Sequence, residues 1–397
     1  MVARFITRYD GAGNLIRHDA SSGSPRKLLA LNFVDVAALG LFSVVSAVRP
    51  RLQEPSMPYR LPGLFAVPLL LGTIGSTVAA EAPSPDSKHT ITIQLENDST
   101  RPVSDSYYTN GFRIGYTSPT DQLPAPLASF GTSVLGEGRQ RFTFELSQIV
   151  NTPLFTKLAN PPANDRPYSA VLMGTFGIIH DTSAVRTALG LGLGVIGPAA
   201  LGRQVQNGFH DLVGQGNVQG WATQIPNQPV IQLTAERTWR IALGRIALGR
   251  MPLGGMGGLE ADILPSISAG AGTYRIYGQA GGTIRIGQGL QSDFGAPRIR
   301  PGLTGTDAYV AVLPLSWYVF AGADGQAVAW DETLDGLPFA TSRHVTRSPL
   351  VGEFQAGVSV IAWGARLTAM HILQSNEFRS QRHGQFQFSS VSLSLKF

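Results

Sequence analysis

The chain has 397 residues, which is long enough for one large barrel or two ordinary domains. Only 14% of its residues are charged, 46 are glycine and none is cysteine, so disulfide scaffolds, zinc-thiolate sites and thiol nucleophiles are excluded. The formal net charge is +5, but residues 1–82 hold eight of the 31 basic and five of the 26 acidic residues. The remaining 23 basic and 21 acidic residues nearly cancel, so charge gives no support for nucleic-acid binding.

The N-terminal part of the chain contains a segment typical of a secretory signal peptide. After Met57, the basic residue Arg60 precedes an uncharged apolar core over residues 61–77, and the small-residue site Ala80-Glu81-Ala82 follows. The alternative is a membrane-spanning helix, which needs roughly 20 residues, but two prolines and two glycines weaken such a helix. We predict a signal peptide over residues 57–82, with residues 1–56 as a start-site error outside the fold.

From Lys88 onward, apolar and polar residues alternate with the period of two that is typical of β-strands. Ile91, Ile93 and Leu95 share one face of the first segment, and polar side chains occupy the other. Strands with an outward apolar face and an inward polar face are the unit of a membrane barrel. The segments that follow this pattern are residues 89–98, 108–117, 139–149, 168–180, 183–195, 230–243, 258–270, 274–287, 315–330, 351–363, 365–374 and 385–397.

These segments predict an all-β fold, a transmembrane antiparallel β-barrel of about 12 strands over residues 83–397. The last segment ends the chain at Phe397, and a terminal strand that ends in an aromatic residue resembles the outer-membrane assembly signal. A soluble β-sandwich is the alternative, but it leaves the signal peptide and the apolar terminal strand unexplained. We therefore predict that the protein lies in the bacterial outer membrane.

One segment between the strands has a helical period instead. Over residues 203–213, Val205, Phe209 and Leu212 are spaced at i, i+4 and i+7, while Gln206 and His210 share a neighbouring face. This pattern predicts a short amphipathic helix in an extracellular loop. Loops on rigid scaffolds often carry function.

Polar residues meet where the first two strands join. The first strand rises from the periplasmic N-terminus, so Asn97 and Asp98 are expected near the extracellular rim, where Thr109 begins the returning strand. Their oxygen atoms suit a hard cation such as Ca²⁺; the alternative is a solvated hairpin loop with Asn and Asp turns. Asn97 has the parity of the lipid-facing residues, a costly place for a polar side chain unless it has a purpose.

Two further residues are candidates for chemistry. His210 lies on the predicted helix, and histidine is suited to act as a general base near neutral pH, although a lone histidine on a helix is more often structural. Lys157 lies in a loop between strands, where a solvated surface lysine is the ordinary interpretation. The sequence has no convincing serine-nucleophile motif of the G-x-S-x-G type.

Several motifs resemble those of the outer-membrane lipid A deacylase family. They extend from about residue 90 to residue 397, and the stretch at 194–210 is the most specific. The motifs are ENDS at 96–99, YTNG at 108–111, DRPY at 165–168, GVIGPAALGRQVQNGFH at 194–210, GW at 220–221 with Gln224, and SNEF at 375–378.

The resemblance implies a 12-stranded barrel that removes the 3′-linked acyloxyacyl chain of lipid A in a Ca²⁺-dependent reaction. It implies catalytic roles for Asn97, Asp98, Thr109 and His210, with Ca²⁺ held near Asn97 and Asp98 and water activated by His210. A family lysine that stabilises the oxyanion corresponds to Lys157. The implied partner is lipid A, or lipopolysaccharide, of the outer leaflet.

The sequence departs from the family pattern at one point. Some members carry a glutamate a few residues after the histidine, whereas this chain has Gly-Gln-Gly-Asn at 214–217. The neighbouring Asp211 is expected on a different helix face from His210. Two other functions are open at this stage: an outer-membrane phospholipase, and a porin-like barrel without catalysis, in which Asn97, Asp98 and His210 would be scattered.

Overall fold

The computed structural model describes residues 82–98, 107–214, 216–250, 256–299, 307–382 and 384–397, and two short paired strands, Arg8–Tyr9 and Leu15–Ile16. The chain divides into two units, Met1–Pro58 and Tyr59–Phe397. Residues 1–56, apart from those two strands, lie outside the described residues. The predicted signal peptide also lies outside them, except for Ala82.

The second unit is built from antiparallel strands. In its described residues these are β1 Thr90–Asn97, β2 Tyr107–Thr117, β3 Arg139–Thr152, β4 Ser169–Asp181, β5 Val185–Ile196, β6 Gln228–Trp239, β7 Ile241–Arg250, β8 Met256–Gly272, β9 Arg275–Gln288, β10 Leu315–Asp331, β11 Leu350–Ala362, β12 Ala365–Ser375 and β13 Gln385–Lys396. Each strand pairs with the next along the chain except β6, which pairs with β8.

Twelve of these strands close into a barrel, as the alternation predicts. Closure comes from β13, which pairs with β1 from Lys396–Thr90 to Ser389–Asn97. The C-terminal part of β8 pairs with β6 and its N-terminal part pairs with β7. β6 and β7 therefore lie one after the other along the same side of β8, and β6 is the one counted among the twelve strands of the ring. The prediction of a single strand over residues 230–243 is therefore wrong, because the ladder is interrupted at Arg240.

The two faces of the strands have opposite chemistry. On β1, the outward residues Ile91, Ile93 and Leu95 are 36–57% exposed. The inward residues Gln94 and Glu96 are buried. An apolar exterior and a polar interior are what a barrel in a lipid bilayer requires.

The polar interior is held by ion pairs that a connecting loop completes. Arg113 on β2 bonds Glu145 on β3 at 3.0 Å and Asp307 at 2.6 Å, and Arg285 on β9 bonds Asp293 at 2.5 Å. Asp293 and Asp307 both belong to the connection between β9 and β10, which thus enters the lumen. Buried charges are tolerated when they are paired in this way.

Three α-helices lie in the described connections: α1 Ala125–Leu135, α2 Gly202–Val213 and α3 Glu332–Asp335. The helix predicted over residues 203–213 is confirmed as α2. The expectation that only this segment departs from the β pattern is wrong, since α1 begins after Pro124 between β2 and β3. Within the described ranges, no helix is long and apolar enough to cross a bilayer.

Glu332, the first residue of α3 after β10, is expected to make the stability of the barrel sensitive to pH. Burial, followed by the nearby Asp331 carboxylate, raises the pKa of Glu332 to about 8, and Gln228 Nε2 donates to Oε1 at 3.0 Å. A carboxyl whose pKa is raised by folding favours the folded state at low pH, and this contribution is lost as the pH rises through about 8. We expect Glu332→Gln to raise the free energy of unfolding at pH 9 by about 2 kcal/mol.

Urea unfolding in detergent micelles at pH 6 and pH 9 measures this difference. The exposed Glu137 provides the control, since Glu137→Gln should change stability equally little at both pH values. If Glu332→Gln loses as much stability between pH 6 and pH 9 as the wild type does, the assignment to Glu332 is wrong.

Candidate active site

The site is built on a row of outward residues that crosses four neighbouring strands. The register pairs Asn97 on β1 with Asn110 on β2, Asn110 with Val150 on β3, and Val150 with Ala170 on β4. Adjacent strands lie about 4.8 Å apart, so the row from Asn97 to Val150 spans only about 10 Å. Asn97 has the parity of Ile91, Ile93 and Leu95, as the alternation predicts.

A β-bulge in β2 brings Thr109 to the outer surface. Between Tyr108 and Asn110, β2 advances by two residues while the paired strand β3 advances by only one, so Thr109 is the extra residue of the bulge. Tyr108 points inward, where its hydroxyl donates to Glu96 Oε2 at 2.7 Å, and the Thr109 hydroxyl bonds the Thr152 hydroxyl at 2.7 Å. Bulges often re-aim a side chain beside an active site.

Asn97, Asp98 and Thr109 are held together at the end of the β1–β2 hairpin. Asn97 Nδ2 donates to the Thr109 carbonyl oxygen at 3.0 Å, and the Asp98 backbone amide donates to the same oxygen at 3.4 Å. Asp98 and Thr109 are buried. The structure thus brings these three predicted residues into one cluster.

The connection between β5 and β6 carries a second group of candidate residues, and it packs against the outside of the barrel wall. Val150, Ala170, Ala200 and Trp221 form one buried cluster with neighbouring residues. Gly202 begins α2 against this wall, where a Cβ would lie 2.5 Å from the Ala170 Cβ. A side chain at position 202 would push the helix away from β4, so the close approach requires glycine.

α2 contacts β3 and β4 and turns its polar side to the protein. Gln206 and His210, one helical turn apart, are buried, and Trp221 Nε1 donates to Gln206 Oε1 at 2.9 Å. Gly214, in the left-handed conformation at φ 71°, ends the helix and turns the chain back toward it. This return places Gly216 beside the helix it has just left.

His210 and Lys157 meet at one backbone carbonyl. His210 Nδ1 donates to the Gly216 carbonyl oxygen at 3.2 Å, and Lys157 Nζ donates to the same oxygen at 2.7 Å. His210 is buried, whereas Lys157 is exposed. The structure thus joins these two predicted residues from loops that are far apart in the sequence.

Residues 64–397 match the family described as outer membrane protein LpxR. The chain belongs to the LpxR family. A search of curated proteins finds no match. Among solved structures, the chain is similar to LpxR from Salmonella typhimurium, with a TM-score of 0.63 and 21% identity over 78% of this chain and 100% of that chain.

A second similar structure is the β domain of the Bordetella autotransporter Brka. Its TM-score is 0.37 and its identity is 11%, over 79% of this chain and 100% of that chain. The family and the 12-stranded barrel predicted from the sequence are confirmed, and the protein is a bacterial outer-membrane protein.

Several LpxR-family motifs support the site from behind the wall. Glu96 and Tyr108, each adjacent to a candidate site residue, bond each other in the lumen, and the backbone amide of Ile299 donates to Glu96 Oε1 at 3.2 Å. Arg166 of the DRPY motif pairs with Glu377 of the SNEF motif. These supporting roles were not predicted from the sequence, although Glu96, Tyr108, Arg166 and Glu377 lie in the motifs that carry the family resemblance.

At the point where this LpxR-family chain lacks a glutamate, a backbone carbonyl contacts the histidine instead. Gly216 lies six residues after His210 and accepts its hydrogen bond. Asp211 is exposed, in keeping with its expected position on a different helix face from His210. Gln215 lies outside the described residues.

The Asn97–Asp98 cluster has a donor set suited to Ca²⁺. Asp98 carries a carboxylate and Asn97 carries an amide oxygen, and Ca²⁺ also accepts backbone carbonyls and water as ligands. In the part of the chain that the structure describes, no group of three or more His, Cys, Asp or Glu side chains forms a metal site. A Ca²⁺ ion held by one carboxylate and a few neutral oxygens would have coordination positions left for water or substrate.

Proposed function

We propose that the protein is an esterase that removes the 3′-linked acyloxyacyl chain of lipid A by hydrolysis. Membership of the LpxR family supports an outer-membrane lipid A deacylase. The observation that carries the proposal is the position of the candidate residues. Asn97 and Thr109 lie on the outer surface of the wall, and α2 with His210 packs against the neighbouring strands on that same surface.

An outward site matches the location of the substrate. Lipid A occupies the outer leaflet, so its ester bonds reach a site on the outer surface of the barrel wall and not a site inside the lumen. The lumen of this barrel is occupied by paired charges such as Arg113 with Asp307. Substrate therefore approaches from the side of the barrel, near the extracellular end of the strands.

His210 is the general base of the proposed reaction. A carbonyl oxygen only accepts, so the bond to Gly216 assigns the proton to Nδ1 and leaves Nε2 as the basic nitrogen. Nε2 takes a proton from water as the water oxygen attacks the ester carbonyl. The same proton then passes to the departing sugar oxygen, which yields a free hydroxyl and a fatty acid.

Lys157 stabilises the negative charge that develops on the carbonyl oxygen. Its ammonium group lies beside His210, since both contact the Gly216 carbonyl. Donors placed where charge develops in the transition state contribute strongly to catalysis. Because Lys157 is exposed, substrate has access to its ammonium group without unfolding the loop.

Asn97 and Asp98 would hold the Ca²⁺ ion, and Thr109 positions them. When bound, Ca²⁺ would polarise the ester carbonyl as a Lewis acid. Thr109 fixes Asn97 and the Asp98 backbone through its carbonyl oxygen, and its hydroxyl ties this cluster to Thr152 on β3. The hairpin end is thereby held at a fixed position relative to the strand that precedes Lys157.

Mass spectrometry of lipid A tests the proposal. We expect a Gram-negative host that expresses the full chain, with Ca²⁺ present, to show lipid A lighter by one acyloxyacyl chain, with the 3′ position free. The empty-vector host is the control. Folded, inserted protein with unchanged lipid A would contradict the proposal, and release of fatty acid from glycerophospholipids in its place would identify a phospholipase.

A further inference from the structure

α2 has three faces that differ in burial or in polarity. The face with Gln206 and His210 is buried against the protein. The stripe formed by Val205, Phe209 and Leu212 is 40%, 47% and 83% exposed. A third face, with Gln204 and Asp211, is polar and exposed. We call Val205, Phe209 and Leu212 the apolar stripe.

The orientation of α2 is the reverse of that in a water-soluble protein. A surface helix of a soluble protein buries its apolar side and exposes its polar side. Here the polar pair Gln206 and His210 is inside, and the apolar stripe is outside. Such an arrangement is stable where the surrounding medium is apolar on one side of the helix.

The insertion that carries α2 is continuous with the lipid-facing belt of the barrel. On β3, the outward residues Phe144 and Leu146 are 53% and 41% exposed and belong to that belt. The next outward residue, Gln148, donates through Nε2 to the Ala200 carbonyl at 2.5 Å, two residues before α2 begins. The helix therefore starts where the exposed belt of β3 ends.

We propose that the apolar stripe of α2 is immersed in the hydrocarbon of the outer leaflet, so that α2 lies in the membrane interface. The occupant of the stripe is the acyl chains of membrane lipids, as on the belt that it continues. Gln204 and Asp211 face the polar headgroups. Immersion does not depend on the proposed esterase activity, but it would place His210 at the depth of the ester bonds.

The absence of cysteine in the chain allows a direct test with single-cysteine variants. Two pairs of neighbouring residues on different faces are matched: Gln204 with Val205, and Asp211 with Leu212. Each is replaced by cysteine and labelled with the environment-sensitive fluorophore NBD. The full-length proteins are placed in phosphatidylcholine vesicles with ordinary or brominated acyl chains, since bromine quenches only fluorophores that it contacts.

We expect labels at 205 and 212 to emit at shorter wavelength and to be quenched at least twofold more by brominated lipid than labels at 204 and 211. Equal, water-like emission at all four positions would overturn the proposal. Short-wavelength emission without bromine quenching would also overturn it, because the stripe would then be covered by protein, for example by a second copy of the chain.

A second measurement separates this inference from the proposed function. We expect Leu212→Asp to slow deacylation of lipid A in vesicles at least fivefold and to change deacylation of detergent-dispersed lipid A less than twofold. Equal effects on both substrates would count against immersion. If the wild type deacylates neither substrate, the proposed function fails, while the fluorescence pairs still decide the location of α2.

Discussion

Replacing His210 with alanine is expected to lower the rate of lipid A deacylation by about 10²–10⁴-fold, the usual contribution of a general base. The imidazole is buried on the wall side of α2 and donates through Nδ1 to the Gly216 carbonyl, and in the proposed reaction Nε2 takes the proton from water. Alanine removes this base and leaves the apolar stripe unchanged. Mass spectrometry of lipid A over a time course measures the loss.

Two further variants define the cause of the loss. His210→Gln retains a side-chain amide that is able to donate to the Gly216 carbonyl but has no basic nitrogen, so its activity should be as low as that of His210→Ala. His344, an exposed histidine in the β10–β11 loop, provides the control, and His344→Ala should retain full activity. Heat-modifiable migration on gels shows that each barrel is folded. Wild-type activity in folded His210→Gln would contradict the role of His210 as a base.

The barrel was the part of the structure most accessible to prediction from the sequence. A period of two fixes which residues face lipid, and one slip in register exchanges the two faces of a strand. For this reason the outward position of Asn97 followed from Ile91, Ile93 and Leu95 alone. The interruption at Arg240 did not follow, because it depends on how β8 divides its pairing between β6 and β7.

Local patterns were less informative for α1 and for the bulge in β2. α1 has Leu127, Phe130 and Val134 at helical spacing and all three are exposed, but the segment is short and lies between strong strand signals. Simple alternation from Phe112 and Ile114 would turn Thr109 inward. The bulge that reverses this is decided by the pairing of β2 with β3, which no local window contains.

The arrangement around His210 required tertiary information for a similar reason. The sequence predicted the helix and the shared face of Gln206 and His210. Lys157, however, is 59 residues from Gly216, whose carbonyl joins it to His210. The family resemblance identified Lys157 as a candidate, whereas its position in a loop between strands favoured an ordinary solvated lysine. Because Lys157 and His210 contact the same carbonyl, we also expect a large effect on activity when Lys157 is replaced.

Lys157→Met is expected to lower kcat for lipid A deacylation by about 10²–10³-fold, with a smaller change in KM, since an oxyanion donor acts mainly in the transition state. Methionine retains most of the apolar stem and removes the charge and the donors. Lys157→Arg keeps a positive charge beside the Gly216 carbonyl and should therefore lose less activity than Lys157→Met. Initial rates on detergent-dispersed lipid A over a range of concentrations separate kcat from KM.

Arg203→Met provides the matched control for a general charge effect. Arg203 is an exposed cation on α2, so its removal changes the net charge of the same region by the same amount. If substrate phosphate groups are attracted only by the summed positive charge, both variants should raise KM similarly and leave kcat unchanged. If Lys157 stabilises the oxyanion, kcat falls in Lys157→Met alone. Equal kcat values in Lys157→Met and the wild type would exclude Lys157 from the chemical step and leave His210 with the Asn97–Asp98 cluster as the catalytic groups.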